Sequence, residues 1–189
     1  TAQNVTVHHC GTFAAADDGG NGSLVDMVNC LLVSITNWGN VSYVTNCTAW
    51  LDSDLGIFQT VGAGAHYLAD ASVYRDVGST NIDASLLAEL RNKTTYAPTV
   101  YTNLTISADT SFTPQAQRDM NTPDLGFHYD PLDYMLGQVQ TSGGITISVT
   151  PGTAIACLGQ GPNDYGLSLG DGDEGLCQGS ARAQVHRVS

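Results

Sequence analysis

Short runs of alternating apolar and polar residues recur through the first third of the chain. Three of them end alike, in VTVHHC at Cys10, VDMVNC at Cys30 and SYVTNC at Cys47. The cysteines are about 20 and 17 residues apart, and turns rich in Gly and Asn separate the runs. Short strands at this spacing, with no helix between them, are typical of a solenoid whose turns stack in parallel. Residues 5–51 are therefore predicted to form stacked parallel strands.

The repeat also predicts which side chains stack on one another. Asn29 and Asn46, each just before a cysteine, are expected to lie one above the other and to hydrogen-bond along the stack. Cys10, Cys30 and Cys47 would then form an inward-facing column of small side chains. A disulfide between two of these cysteines is the first alternative.

A metal site in the HHC segment is the second alternative to the cysteine column. A strand places His8 and Cys10 on one face and His9 on the other. Zinc usually takes four ligands in recognisable pairs, and no second close pair follows this one. The cysteine column is therefore favoured over the metal site.

The middle of the chain contains one helical pattern, TNIDASLLAELRNKTTYAP, which predicts a helix near residues 83–93. Asn81 or Asp83 can cap it, and Pro98 prevents its continuation. Downstream, GGITISVTPGTAIACLG indicates two further strands around a Pro-Gly turn. Residues 1–172 are expected to form one domain. Residues 173–189 lack aromatic residues and periodicity, and are predicted to be an atypical, disordered tail.

The charge balance excludes several partners. Eighteen acidic residues against six basic ones give a net charge of −12, which repels nucleic acid and anionic lipid. No apolar run approaches the ~18 residues of a membrane span, so membrane insertion is not expected. A chain rich in Thr, Ser, Asn and Gly with one lysine is typical of extracellular bacterial β proteins. The opening without Met suggests a mature product or a segment of a longer protein.

Several longer phrases resemble a known architecture: VNCLLVSITNWGN, TNCTAWLDSDLGIFQTVGAGAHYLADASVYRDVGSTNIDASLLAEL, TTYAPTVYTN, TPQAQRDMNTPDLGFHYDPLDY and ISVTPGTAIACLGQGPNDYGLSLGDG. Together, over about residues 5–172, they resemble large secreted bacterial proteins of the pectate-lyase-like superfold. The resemblance implies an all-β, right-handed parallel β-helix segment with one short helix and a loop-rich C-terminal part. It also implies an extracellular or cell-surface location, polysaccharide or adhesive partners, and neighbouring repeats of a parent protein.

The segment PDLGFHYDPLDY, residues 123–134, combines carboxylates with a histidine and two tyrosines. It suits a catalytic or metal site, and it equally suits a connection that ties down its own backbone. Asp124 can cap a turn, and His128 and Tyr129 can hydrogen-bond exposed strand ends. The structural interpretation is favoured.

Catalysis has two candidate arrangements. GLSLG fits G-x-S-x-G with Ser168 as nucleophile, and His128 with Asp130 could complete a triad if folding brings them together. A polysaccharide lyase would instead need an arginine base, for which Arg75 and Arg118 are available. Neither arrangement lies in a complete catalytic motif, so whether the chain is an enzyme stays open, with a hydrolase slightly favoured over a lyase.

Calcium is the expected cofactor if there is one. Gly-rich turns carry Asp171, Asp173 and Glu174 near the C-terminal end, and Asp17 and Asp18 near the start. Carboxylates on such loops are the hard oxygen ligands that Ca²⁺ prefers. The adjacent DSD segment, with Asp52 and Asp54, adds two more.

Exposed aromatic side chains are candidates for glycan binding, namely Trp38, Trp50 and Tyr43. The sequence thus predicts an extracellular β-helix module associated with glycan or with a surface. The alternative is a hydrolase acting on an ester, lactone or glycan, or a polysaccharide lyase, with calcium as a possible requirement. A binding module predicts aromatic residues in a row on an exposed face, and an enzyme predicts a pocket where a histidine or arginine meets carboxylates.

Overall fold

The computed structural model describes residues 1–17, 22–159, 161 and 164–179, and the backbone of residues 186–188. Nearly all its strands are short and pair in parallel, in sheets that stack turn upon turn. The fold is thus all-β and a parallel β-helix, as predicted. The chain divides into two units, the first formed by Thr1–Thr60, Gly64–Tyr96 and Arg118–Asp130, the second by Val61–Ala63, Ala97–Gln117 and Pro131–Ser189.

The first unit contains three parallel sheets, in the orders β1-β4-β7, β2-β5-β8 and β3-β6. The first two coils contribute one strand to each sheet in turn, and the third contributes β7 and β8 to the first two sheets. The strands are β1 Ala2–Gln3, β2 Thr6–His8, β3 Thr12–Ala14, β4 Leu24–Val28, β5 Leu31–Val33, β6 Asn37–Gly39, β7 Ser42–Asn46 and β8 Ala49–Leu51.

The register of these strands corrects the predicted cysteine column. Thr6 pairs with Leu31 and Leu31 with Ala49, so successive coils are 25 and 18 residues long. The cysteine offsets of about 20 and 17 residues do not match these lengths, and the prediction that the cysteines stack is wrong. Cys30 is fully buried, Cys47 is exposed, and all five cysteines of the chain are free thiols.

Single residues in left-handed backbone conformation form the corners of the coils. Among the described residues, eight that are not glycine have positive φ, and all but Asp76 lie between two consecutive strands of a coil. Most L-residues adopt this conformation at a cost of roughly 1 kcal/mol. Asn adopts it more readily because its short polar side chain can hydrogen-bond locally. The corner residues of the first unit are Asn4, His9, Asn29, Ser34 and Cys47, and those of the second are Asn103 and Gln138.

An asparagine stack exists at one of these corners, with a different pair from the predicted one. The Asn29 side-chain amide donates to Asn4 Oδ1 at 3.2 Å and to the Ser79 carbonyl at 2.9 Å, and Asn29 Oδ1 accepts from the Ser79 N–H at 2.6 Å. Asn46, the predicted partner of Asn29, ends β7 with its side chain exposed. The predicted Asn29–Asn46 stack is therefore wrong.

The interior of the first unit consists of apolar side chains from the middle coil. All three residues of β5, Leu31, Leu32 and Val33, are fully buried. They pack in two clusters, one with Leu68 and Leu125 and one with Met27, Cys30 and Phe13. At ~25 cal/mol per Å² of buried apolar area, such clusters are the main driving force for stacking the coils.

A two-stranded sheet and a helix follow these coils in the chain. Strands β9, Phe58–Val61, and β10, Gly64–Leu68, form a separate two-stranded sheet. Helix α1 spans Ala84–Leu90, and Asp83 caps it by accepting hydrogen bonds from the backbone N–H groups of Ser85 and Leu86. The helix predicted near residues 83–93 is confirmed, with Asp83 as its cap.

The second unit repeats the construction from parallel sheets. Its sheets have the orders β11-β14-β17-β20, β12-β15-β18 and β13-β16-β19. Phe112, Tyr134, Leu136 and Ile147 lie in its buried core. The strands are β11 Thr99–Thr102, β12 Thr105–Ile106, β13 Thr110–Phe112, β14 Tyr134–Gly137, β15 Val139–Thr141, β16 Thr146–Val149, β17 Ala154–Cys157, β18 Leu167–Ser168, β19 Glu174–Cys177 and β20 His186–Val188.

The segment predicted as a tail, residues 173–189, contains β19 and β20, which pair in parallel with β16 and β17. The boundary at residue 172 stays a prediction. Among the described residues, no helix is long and apolar enough to cross a membrane.

We expect the corner asparagine to stabilise the first unit. Asn29→Ala removes a buried amide and leaves the Ser79 N–H and Asn4 Oδ1 without their partner, so the free energy of unfolding should fall by about 2 kcal/mol. Urea denaturation measures the change. Asn46→Ala is the matched control, since Asn46 is exposed, and should have little effect. Equal losses in the two variants would contradict the assigned register.

Candidate metal centre

Two histidines and an aspartate of the first unit converge on one point. The Nε2 atoms of His8 and His9 lie 3.2 Å and 3.1 Å from Asp54 Oδ2. One ligand atom from each of the three side chains lies within 4.8 Å of the other two. The two imidazole rings are in edge contact, with centroids 4.1 Å apart.

The backbone at His9 explains this convergence. His8 is the last residue of β2, and His9 follows it at a coil corner with φ +54°. Side chains alternate between faces only while the backbone stays extended. The left-handed residue interrupts the alternation and allows both rings to reach the same carboxylate. The expectation that His8 and His9 lie on opposite faces is therefore wrong.

Asp54 enters the cluster from the turn between β8 and β9, where its carbonyl accepts from the Ile57 N–H at 3.0 Å. Hydrogen bonds from His9, from its own backbone and from His8 hold the pKa of Asp54 below its usual value. The carboxylate is therefore ionised at neutral pH.

His66, on β10, extends the cluster on the far side of His8. Its Nε2 lies 3.0 Å from His8 Nδ1. Burial, and then the proximity of His8, lower the pKa of His66, so its neutral form is favoured. The Phe58 ring lies within contact distance of both, with centroids 5.2 Å from His8 and 5.0 Å from His66.

The three converging groups match the donor set of a divalent transition metal. Ligands bound tetrahedrally at about 2.0–2.2 Å lie about 3.3 Å apart, close to the two measured N–O separations. Imidazole nitrogens suit zinc, copper, iron and nickel, whereas calcium takes six to eight oxygens. The His9 and Asp54 side chains are 64% and 48% exposed, so an ion there could keep a position open to water.

A second group of titratable side chains is enclosed within the first unit. His128 Nε2 lies 2.6 Å from Asp119 Oδ2, which also accepts from the Asp124 N–H at 2.8 Å. Asp124 in turn binds the Arg75 guanidinium at 3.2 Å and the Thr95 hydroxyl. Burial raises the pKa of Asp124, against the lowering effect of Thr95, the Asp76 N–H and Arg75.

This enclosed group ties down the segment that contains it. His128 is also within 3.0 Å of the Gly126 carbonyl through Nδ1, so both ring nitrogens are engaged. Its side chain is 0% exposed. Tyr129 makes a two-way backbone bridge to Thr94. These contacts support the structural interpretation of the first part of PDLGFHYDPLDY, which stays a prediction.

The end of the same stretch has an equivalent role in the second unit. Asp133 is fully buried. Its Oδ1 accepts from the N–H groups of Gln115 and Ala116, and its Oδ2 accepts from the Ala154 N–H at 2.8 Å. Asp133 therefore joins the loop before it to β17.

The local surroundings of the predicted catalytic residues Ser168, His128 and Asp130 differ from those in a catalytic triad. Asp130 is exposed and pairs with Lys93 at 2.9 Å, while the aspartate that contacts His128 is Asp119. Ser168 ends the short strand β18 in the second unit, and a turn at Asp171 and then β19 follow it, in place of the helix that a nucleophile elbow requires. A triad of Ser168, His128 and Asp130 stays a prediction, without support from these contacts.

The predicted calcium ligands differ in their surroundings: Asp173 is hydrogen-bonded within a turn, whereas Asp171, Glu174 and Asp17 are exposed. Hydrogen bonds from Thr141 and from the Ile145 N–H lower the pKa of Asp173, whose oxygens also accept from the Gly170 N–H. Asp173 thus serves as a turn cap. Its neighbours Asp171 and Glu174 are exposed, as is Asp17, and Asp18 lies outside the described residues. Calcium binding there stays a prediction.

The predicted glycan-binding aromatics do come together. Trp38 lies 4.2 Å from Trp50 and 6.3 Å from Tyr43 between ring centroids. Trp38 and Tyr43 are partly buried against the core cluster of Met27, while Trp50 is 38% exposed. They form a packed cluster with tilted and edge contacts, which differs from the exposed row expected of a glycan platform.

Comparison with known proteins adds no assignment. The chain matches no protein-family model, and no curated protein or solved structure is significantly similar to it. The candidate site of His8, His9 and Asp54 therefore rests on the distances between these side chains alone. The spacing of the corner residues repeats in the sequence. Asn4 and Asn29 occupy the same corner of successive coils. His9 lies five residues after Asn4, as Ser34 lies five residues after Asn29.

We expect the His128→Ala variant to lose stability. The substitution leaves the Asp119 carboxyl group buried without its imidazole partner, which should lower the free energy of unfolding by about 3 kcal/mol. Denaturant titration measures the loss. Asp130→Asn changes a neighbouring exposed carboxylate and should leave the midpoint close to that of the parent. A His128→Ala protein as stable as the parent would refute the structural role.

Proposed function

We propose that this chain is a β-helix module that binds a divalent transition-metal ion, best matched by Zn²⁺, through His8, His9 and Asp54. The observation that supports the proposal most is the approach of two imidazole Nε2 atoms to one carboxylate oxygen at 3.2 Å and 3.1 Å. Both ligand type and spacing suit zinc. The net charge of −12 favours the approach of a cation.

Three protein ligands with open coordination positions are typical of catalytic zinc, whereas structural zinc usually has four. The exposure of His9 and Asp54 supports the open arrangement. Zinc in such a site lowers the pKa of bound water to about 7, which would supply a nucleophile for ester hydrolysis. If the chain is a hydrolase, we therefore propose this cluster as its active site in preference to Ser168.

The setting of the module is part of the same proposal. An extracellular, surface-associated β-helix related to the pectate-lyase-like superfold agrees with the stacked parallel sheets and with the composition. Glycan contact would fall to Trp50, the most exposed of the three clustered aromatics. A coil edge with exposed polar groups, such as β7, would suit further repeats of a parent protein.

Isothermal titration with Zn²⁺ tests the proposal. The parent should bind one ion per chain, and Asp54→Asn should weaken binding at least about tenfold because a charged ligand is lost. Asp52→Asn is the matched control, since Asp52 lies two residues away, is exposed and makes no contact with the histidines. It should bind Zn²⁺ like the parent, and excess Ca²⁺ should not displace the zinc.

Two results would overturn this proposal. One is a parent protein that gives no Zn²⁺ binding isotherm. The other is an equal loss in Asp54→Asn and Asp52→Asn, which would indicate diffuse attraction to the acidic surface.

A further inference from the structure

His8 is held at both of its ring nitrogens. Its Nε2 faces Asp54 Oδ2 at 3.2 Å, and its Nδ1 faces His66 Nε2 at 3.0 Å. The second contact lies on the opposite side of the ring from the converging ligand atoms. His66 is thus placed against a ligand of the proposed metal, on the side away from Asp54.

The chemistry of metal binding fixes the direction of this hydrogen bond. A nitrogen that binds a metal ion uses its lone pair and therefore carries no proton. If His8 ligates through Nε2, the proton of its neutral ring is on Nδ1, and Nδ1 must donate. His66 Nε2, at 3.0 Å, must then accept.

We infer that His66 is a positioning residue of the metal site, which accepts a hydrogen bond from His8 Nδ1–H and so fixes the tautomer and orientation of the ligating ring. This inference rests on the proposed function. Metal-bound histidines commonly donate their second ring N–H to such a partner, and removing the partner weakens metal binding by 10–100-fold.

The surroundings of His66 hold it rigidly enough for this role. It lies in the middle of β10, and its backbone N–H donates to the Tyr129 hydroxyl at 3.0 Å. The Tyr129 ring packs on Tyr67 with centroids 4.2 Å apart. Phe58 contacts both His66 and His8 and so limits rotation of the two rings. A supporting residue held in this way can orient a ligand precisely.

Two substitutions at the same position test the inference. His66→Phe keeps a ring of similar shape without an acceptor, and should lower the Zn²⁺ affinity by about 10–100-fold. His66→Gln can place an amide oxygen near the original Nε2, and should restore the affinity to within a few-fold of the parent. Isothermal titration at one neutral pH measures all three proteins, and circular dichroism verifies that each is folded.

Long-range ¹H–¹⁵N spectra of the zinc-loaded parent provide a second readout, which does not depend on the folding of any variant. They should show His8 protonated at Nδ1 and metal-bound through Nε2. Ligation through Nδ1 would overturn the inference, as would a folded His66→Phe protein that binds Zn²⁺ like the parent. A parent that binds no Zn²⁺ would instead overturn the proposed function, so the two failures are distinguishable.

Discussion

In the coils that begin with β1, β4, β7, β11 and β14, the chain turns a corner between two strands with a single left-handed residue. Because that residue interrupts the extended backbone, it sets where a strand ends and where the side chains beside it point. At the first corner it is Asn4 or Asn29, and their amides hydrogen-bond between coils. At the second it is His9, in register with Ser34. The same turn that closes the coil thus brings His8 and His9 to one carboxylate.

The second support of the site is the segment 118–130, which makes polar contacts with strands of the first unit. Phe127 N–H donates to the Thr6 hydroxyl in β2, and the Tyr129 hydroxyl accepts from His66 N–H in β10. The segment thus contacts the two strands that supply His8 and His66. Two buried contacts hold this segment in place, one between Asp119 and His128 and one between Asp124 and Arg75. Buried pairs of this kind add little net stability, but breaking one partner is costly, which restricts the segment to one arrangement.

The architecture could be predicted because it depends on local patterns. The short runs VDMVNC and LLV predict strands, short Gly- and Asn-rich turns predict stacking, and Asp83 before an apolar stripe predicts the cap of α1. The register could not be read from the cysteines. Long-range contacts decide it, since Leu31–Val33 pair with Thr6–His8 twenty-five positions earlier and Asn29 donates to Asn4 across the same interval.

The candidate site could be predicted only in part from the sequence. Ideal strand geometry predicts His8 and His9 on opposite faces, and nothing local in HHC indicates a left-handed residue. Asp54 was one acid among eighteen, and it is singled out only by the turn that follows β8. His66 reaches His8 across 58 residues of sequence, a contact set by tertiary structure alone.

If the coil corner creates a three-ligand metal site as proposed, a crystal structure of the zinc-loaded protein is its most direct test. Anomalous scattering at the zinc edge should place one ion about 2.0–2.2 Å from His8 Nε2, His9 Nε2 and Asp54 Oδ2. An ion bound elsewhere, for example among the exposed carboxylates of Asp171 and Glu174, with His8 and His9 still paired to Asp54 as described, would contradict the account.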